Sequence, residues 1–141
     1  MSMEAGTYMW AFPANGQATD AAQTAALTPT GDKATFTALE GVDVVEVGVV
    51  IGTATAATSL VFTVASSDNL GGTYTVQTTV TGPAAIIPSG GVLRSKSMKI
   101  HLNKGDGLKF SVMTAVATGT GQFYAKLYPS GSQTLDVVST T

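Results

Sequence analysis

Residues 97–103 and 108–114 carry the pattern that most limits what this chain can become. Met98, Ile100 and Leu102 alternate with Lys99, His101 and Asn103, and Leu108, Phe110 and Val112 alternate with Lys109, Ser111 and Met113. Successive side chains on a strand point to opposite faces, so each stretch has one apolar and one polar face. Lys104, Gly105, Asp106 and Gly107 between them are turn chemistry, and the whole predicts a β-hairpin.

Other strands emerge from the same period. Residues 35–39 form a short alternating strand. In 43–51, Val45, Val47, Val49 and Ile51 share one face, and Val44, Glu46, Gly48 and Val50 the other. Both faces are largely apolar, which predicts a central strand buried on both sides. Residues 60–65 set Leu60, Phe62 and Val64 together, and 66–72 are rich in turn formers. Residues 73–80 set Tyr74, Val76 and Val80 against Thr75, Gln77 and Thr79, and 122–128 point Phe123, Ala125 and Leu127 inward. Seven or eight short strands at this spacing, with no helical period, predict an all-β fold. The first choice is an antiparallel β-sandwich, jelly-roll-like, with an extended N-terminal arm and a C-terminal tail. The boundaries read as 1–32 for an acidic arm with an aromatic cluster, 33–129 for the sandwich and 130–141 for a polar tail. Within the arm, Pro13, Asn15 and Gly16 break regular structure, and 21–27 reads equally as a weak strand or a turn of helix. The tail has a small apolar centre at Leu135, Val137 and Val138.

Composition supports this reading. Threonine (22 residues) and valine (15) suit a pleated strand, and 16 glycines suit its turns. Only 11% of the chain is charged, against about 25% in ordinary domains, which suggests covered surface. Net charge is −2, which argues against a nucleic-acid partner, since phosphates call for a basic field. That balance hides a split: 1–90 holds seven acids and one base (−6), and 91–141 holds six bases and two acids (+4). Residues 47–67 are uncharged, but Gly48, Gly52, Thr53, Thr55, Thr58, Ser59 and Thr63 dilute them. Two strands joined by a small-residue loop at 52–59 explain them better than a membrane span, and no membrane partner is expected.

Reactive groups are scarce. There is no cysteine and a single histidine, so zinc sites and catalytic triads lack their usual parts. His101 reads as a surface residue on a polar face. Asp43 and Glu46 lie an odd number of positions apart, which predicts opposite faces and no carboxylate pair; Glu40 and Glu46 straddle the Gly41 turn. Asp68–Asn69 and Asn103–Asp106 lack the ligand pattern of a calcium loop and suit turns bonded to their own backbone. No enzyme activity, catalytic residue, metal or cofactor is expected.

What remains is surface. Lys99, His101, Lys109, Met113, Tyr124, Lys126 and Tyr128 are expected to point outward and form basic faces with aromatic content. These are either ordinary solvated sheet or an interface onto which an acidic arm of a neighbouring copy folds. Tyr8, Trp10 and Phe12 are either the first core strand or an anchor that inserts into a partner.

Several of these segments have a family look. The strands at 43–50, 60–64 and 73–76, and the stretch Ile100-His101-Leu102-Asn103-Lys104-Gly105-Asp106-Gly107-Leu108-Lys109-Phe110, resemble small virion structural proteins of tailed bacteriophages, the capsid decoration (cement) proteins among them. The resemblance covers roughly 34–128. It implies a homotrimer seated on the major capsid protein at the outer capsid surface, with terminal arms reaching adjacent subunits. With no signal peptide evident, synthesis in the host cytoplasm is expected. The alternative is a phage tail or fibre adhesin, or a carbohydrate-binding β-sandwich module, which calls for exposed aromatics among Tyr8, Trp10, Tyr74, Tyr124 and Tyr128.

Overall fold

The computed structural model describes residues 9–11, 13–14, 17–18, 25–38, 40–68, 73–113 and 118–129. Among them there is no helix, and so none long and apolar enough to cross a membrane. The strands are β1 (Met9–Ala11), β2 (Pro13–Ala14), β3 (Gln17–Ala18), β4 (Ala25–Ala26), β5 (Asp32–Thr37), β6 (Val42–Thr53), β7 (Val61–Ser67), β8 (Thr75–Thr81), β9 (Val92–Arg94), β10 (Ile100–Leu102), β11 (Gly107–Val112) and β12 (Thr120–Pro129).

All pairings are antiparallel. One sheet runs β1-β12-β6-β10, with β4 added on β12 and β9 on β6; the other runs β5-β11-β7-β8. Pairing β1 with β12, β5 with β11, β6 with β10 and β7 with β8 is the connectivity of a long hairpin rolled over itself. The expectation of a jelly-roll-like sandwich therefore holds. Part of the segment read as an arm joins this fold: β1 is an edge strand, and β2 and β3 pair with each other where breakers were expected. Tyr8, Phe12 and the 130–141 tail lie outside the described residues.

The two inner faces meet in an aliphatic and aromatic core. Phe123 comes from the first sheet, and Phe62 and Phe110 come from the second; all three are buried. The Phe123 ring centroid lies 5.3 Å from each of the other two, edge-on to Phe62. Each buried ring contributes roughly 1.5–3 kcal/mol, and each well-oriented pair about 0.5–1.5 kcal/mol more. The inward sets expected at Met98/Ile100/Leu102, Leu108/Phe110/Val112, Leu60/Phe62/Val64 and Phe123/Ala125/Leu127 all line this core.

Three sequence expectations are corrected. The strands flanking the Lys104–Gly107 turn do not form a hairpin, because β10 pairs with β6 in one sheet and β11 with β5 and β7 in the other. The turn is a corner between sheets. Asn103 N donates to Asp106 Oδ2 (2.8 Å), Gly105 N to Ala38 O (2.8 Å) and Ala38 N to Asp106 O (2.9 Å). Gly105 sits at φ +93°, which a side chain rarely adopts. The residues that suit a hairpin tip suit this corner equally.

The second correction concerns β6. Glu46 pairs with Lys126 but Val44 pairs with Leu127, so Val45 is an extra, bulged residue. Val44, not Val45, joins Val47, Val49 and Ile51 in the core. The third is a similar offset in β8: Thr78 pairs with Val64 and Val76 with Ala65, leaving Gln77 extra. Val80 is buried while Val76 is 57% exposed, so the two do not share a face as expected.

Replacing Phe123 by Ala is expected to destabilise the fold by about 3–5 kcal/mol, as for other core aromatics. The shift in chemical-denaturation midpoint at unchanged slope measures it, and a loss under about 1 kcal/mol would deny the three-ring contact its central place.

Candidate functional site

The polar face of the β1-β12-β6-β10 sheet gathers most of the chemistry in the described residues. Residues directly opposite on antiparallel strands share a face. Across β12, β6 and β10 or β9 the rows read Tyr128–Asp43–His101, then Lys126–Glu46, then Tyr124–Gly48–Arg94. The Val45 bulge is what aligns them. It resets the alternation, so that Asp43 and Glu46 lie on the same face although they are three positions apart; the expectation of opposite faces is corrected.

Asp43 is buried, and His101 leans over it with half its side chain exposed. His101 Nδ1 lies 2.8 Å from Asp43 Oδ1, His101 Nε2 lies 3.0 Å from Asn103 Oδ1, and Lys99 Nζ lies 3.8 Å from Asp43 Oδ2. Both ring nitrogens meet acceptor oxygens, an arrangement that the doubly protonated ring satisfies by donating twice. The hydrogen bond to Asp43, then that to Asn103, raises the His101 pKa above its ordinary 6.5. With both nitrogens engaged, the ring holds the three-residue strand β10 against β6 and is not poised as a general base.

Tyr124 departs furthest from the sequence reading. It does lie on the outer-face rows, yet it is buried instead of exposed. Gly48 is directly opposite, and a Cβ there would fall within 2.6 Å of the Tyr124 ring; the ring lies over the bare backbone that glycine leaves. Such aromatic cover of a strand glycine restores the packing that glycine lacks. Tyr124 Oη donates to Glu46 Oε2 at 2.7 Å, and burial, followed by the adjacent carboxylate, pushes its pKa well above 10. Tyr124 and Glu46 thus form one polar unit inside the face.

The remaining expected residues divide. Lys99, His101, Lys126 and Tyr128 are on this face with Tyr124, whereas Lys109 belongs to the opposite sheet. There Lys109 lies 4.4 Å above the Tyr74 ring and 3.8 Å from Asp32 Oδ2. The outward residues are therefore divided between the two sheets, because β10 and β11 lie in different sheets. Trp10 occupies the register position opposite Lys126. In the two turns considered for an ion, Asp106 accepts from the Asn103 amide, Asp68 is exposed and Asn69 lies outside the described residues, among which no three potential metal ligands cluster. Glu40 is exposed.

A second feature had no sequence signal. Residues 78–81 of β8 and residues 94–98 face each other across a cleft of about 420 Å³. Arg94 and Lys96 are its charged residues, and threonine and serine make up most of the rest. Pairing of distant strand edges creates it, and no local pattern records that. Gly48 within a valine-rich run was the one available sign that an aromatic side chain crosses β6. No protein-family model matches the chain, and no curated protein matches it.

Since the folded pKa of His101 is raised, its contribution to stability is complete below about pH 6.5 and is lost as pH rises through the raised value. Melting temperatures of wild type and His101→Gln are expected to differ most at pH 5.5–6 and to converge with rising pH; parallel curves would remove His101 from this role. Tyr124→Phe is expected to lose about 1–2 kcal/mol in denaturant titration, since Glu46 is left without its donor. A neutral outcome would reduce the pair to surface decoration.

Proposed function

We propose that this chain is a non-enzymatic virion structural protein, a decoration or cement protein that binds the outer capsid surface of a tailed bacteriophage. The observation that carries this reading is the state of the titratable groups on the sheet face. Asp43, His101, Glu46 and Tyr124 are tied to one another across strands and do not converge on a cleft with a free base or nucleophile. Such a face is built for shape and contact. Low charge, a rolled sandwich and repeated strand surfaces suit a molecule that acts by contact area in a symmetric lattice, where many weak contacts give large avidity.

In this reading three copies associate and sit on the major capsid protein, after synthesis in the host cytoplasm. Lys99, Lys126 and Tyr128 on the first sheet are the contact residues offered by the face described above. The competing adhesin or carbohydrate-module reading depends on open aromatic faces for sugar stacking. Tyr124 is buried on Gly48 and Tyr74 lies under Lys109, so two of its five candidates are already covered.

Mass photometry of the purified protein, followed by co-sedimentation with undecorated capsid shells, tests the proposal. A trimer that saturates the shells is expected, and Lys99→Glu/Lys126→Glu is expected to weaken binding by at least tenfold with the melting temperature held. A monomer that ignores the shells and binds on a glycan array would overturn it.

A further inference from the structure

β8 ends the sheet order β5-β11-β7-β8, so it pairs with β7 alone. Its sequence, Thr-Val-Gln-Thr-Thr-Val-Thr, holds neither charge nor proline, two devices that ordinarily keep an edge from pairing. The bulge at Gln77 disturbs the first half of the strand only. In the second half, the ladder fixes where the backbone groups point. Val61 O accepts from Met113 N on the β11 side (2.8 Å), and Leu60 O accepts from Gly82 N on the β8 side (2.8 Å). Hydrogen-bonded and non-bonded pairs alternate along an antiparallel ladder. Thr81, opposite Val61, and Thr79, opposite Thr63, therefore turn their N–H and C=O away from β7. Both residues line the cleft of about 420 Å³ whose other wall is 94–98. That wall is pinned to β6, since Ser95 N donates to Val47 O (2.8 Å) and Met98 N to Val45 O (3.1 Å). Lys96 and Ser97 are exposed between these two anchors. Arg94 and Lys96 are the charged residues of the cleft, no acid lines it, and neither cation is in an ion pair among the described residues.

We propose that this cleft binds an extended acidic segment of a partner protein, which adds a strand to β8 at Thr79 and Thr81. The backbone groups select the conformation. An extended peptide supplies both acceptors and donors in alternation, whereas a phosphate or other small anion would accept from the two N–H groups and leave both carbonyls unpaired. The charge of the cleft selects the sign, because carboxylates beside the added strand meet Lys96 and Arg94. A second copy of this chain is the poorer occupant. Pairing β8 with its own twin about a two-fold axis would bring the Arg94 and Lys96 of both copies together, with no acid from either cleft to offset them. The cleft recognises its ligand by backbone and charge alone, so peptide binding and capsid binding stand or fall separately.

Fluorescence anisotropy of a labelled peptide, Thr-Val-Asp-Val-Asp-Val-Thr, titrated with the full chain tests this. The acidic peptide is expected to bind about tenfold or more tightly than the same peptide with lysine in place of aspartate. Lys96→Glu is expected to weaken it by a similar factor; Arg94 is left in place because its charge also acts on Tyr124. Thr79→Pro removes an outward N–H without costing the β7 ladder a bond, and an edge strand accepts proline at such a position. With the melting temperature held, it is expected to weaken binding about tenfold, which charge attraction alone would not produce. Thr81→Pro removes the other outward N–H and serves the same purpose if the first variant fails to fold. Failure of the acidic peptide to bind, equal binding of the acidic and lysine peptides, or unchanged affinity in the folded proline variants would overturn the proposal. So would a wild-type oligomer that falls apart in those variants by light scattering, since the edge would then belong to a second copy.

Discussion

Phe123 reaches across the sandwich to within 5.3 Å of both Phe62 and Phe110, and the two sheets are held in register by that contact. β12 carries Phe123 and pairs with β1, β4 and β6; β7 and β11 carry the other two rings and are the inner strands of the second sheet. A wedge between the central strands of both layers decides which face of every other strand is inward. Ala34, Phe36, Val47, Val49, Leu102 and Leu108 belong to the same buried core. Without disulfide or metal ligation by cysteine in this chain, core packing bears the load that such cross-links take in other small domains.

The bulge at Val45 converts this packing into a particular surface. Core contact demands that Val44 and Val47 both face inward, and three positions of regular strand cannot satisfy that. One extra residue resolves the conflict. Its consequence on the other side of the sheet is that Asp43 and Glu46 come onto one face, the first beneath His101 and the second beside Tyr124. The polar face is thus a by-product of a packing requirement. Its charges are balanced by cross-strand neighbours, and the partly buried pairs are screened by salt less than free surface charges.

Edges frame the rest. A rolled sandwich leaves strand edges to be managed, and this chain treats them unequally. β10 is three residues long and is tied down by the His101–Asp43 contact, whereas β8 is seven residues long and uncharged. A short edge offers little template; a long uncharged one invites a partner. In a protein proposed to work by contact, the difference marks where contact is expected.

The period-two alternation in this chain was enough to determine an all-β sandwich, its main strands and nearly all of its core. Inward and outward positions are local properties of a strand that must bury one side. Tertiary structure alone decided that the Lys104–Gly107 turn is a corner and not a hairpin, that Asp43 and Glu46 share a face, that Tyr124 is buried on Gly48, and that a cleft lies between β8 and residues 94–98. Each depends on which strand lies alongside which, and at what register. A turn has the same composition whether the strands it joins pair with each other or with others, and a bulge exists only relative to a partner strand. Those are relations between distant segments, and local sequence has no physical means of expressing them.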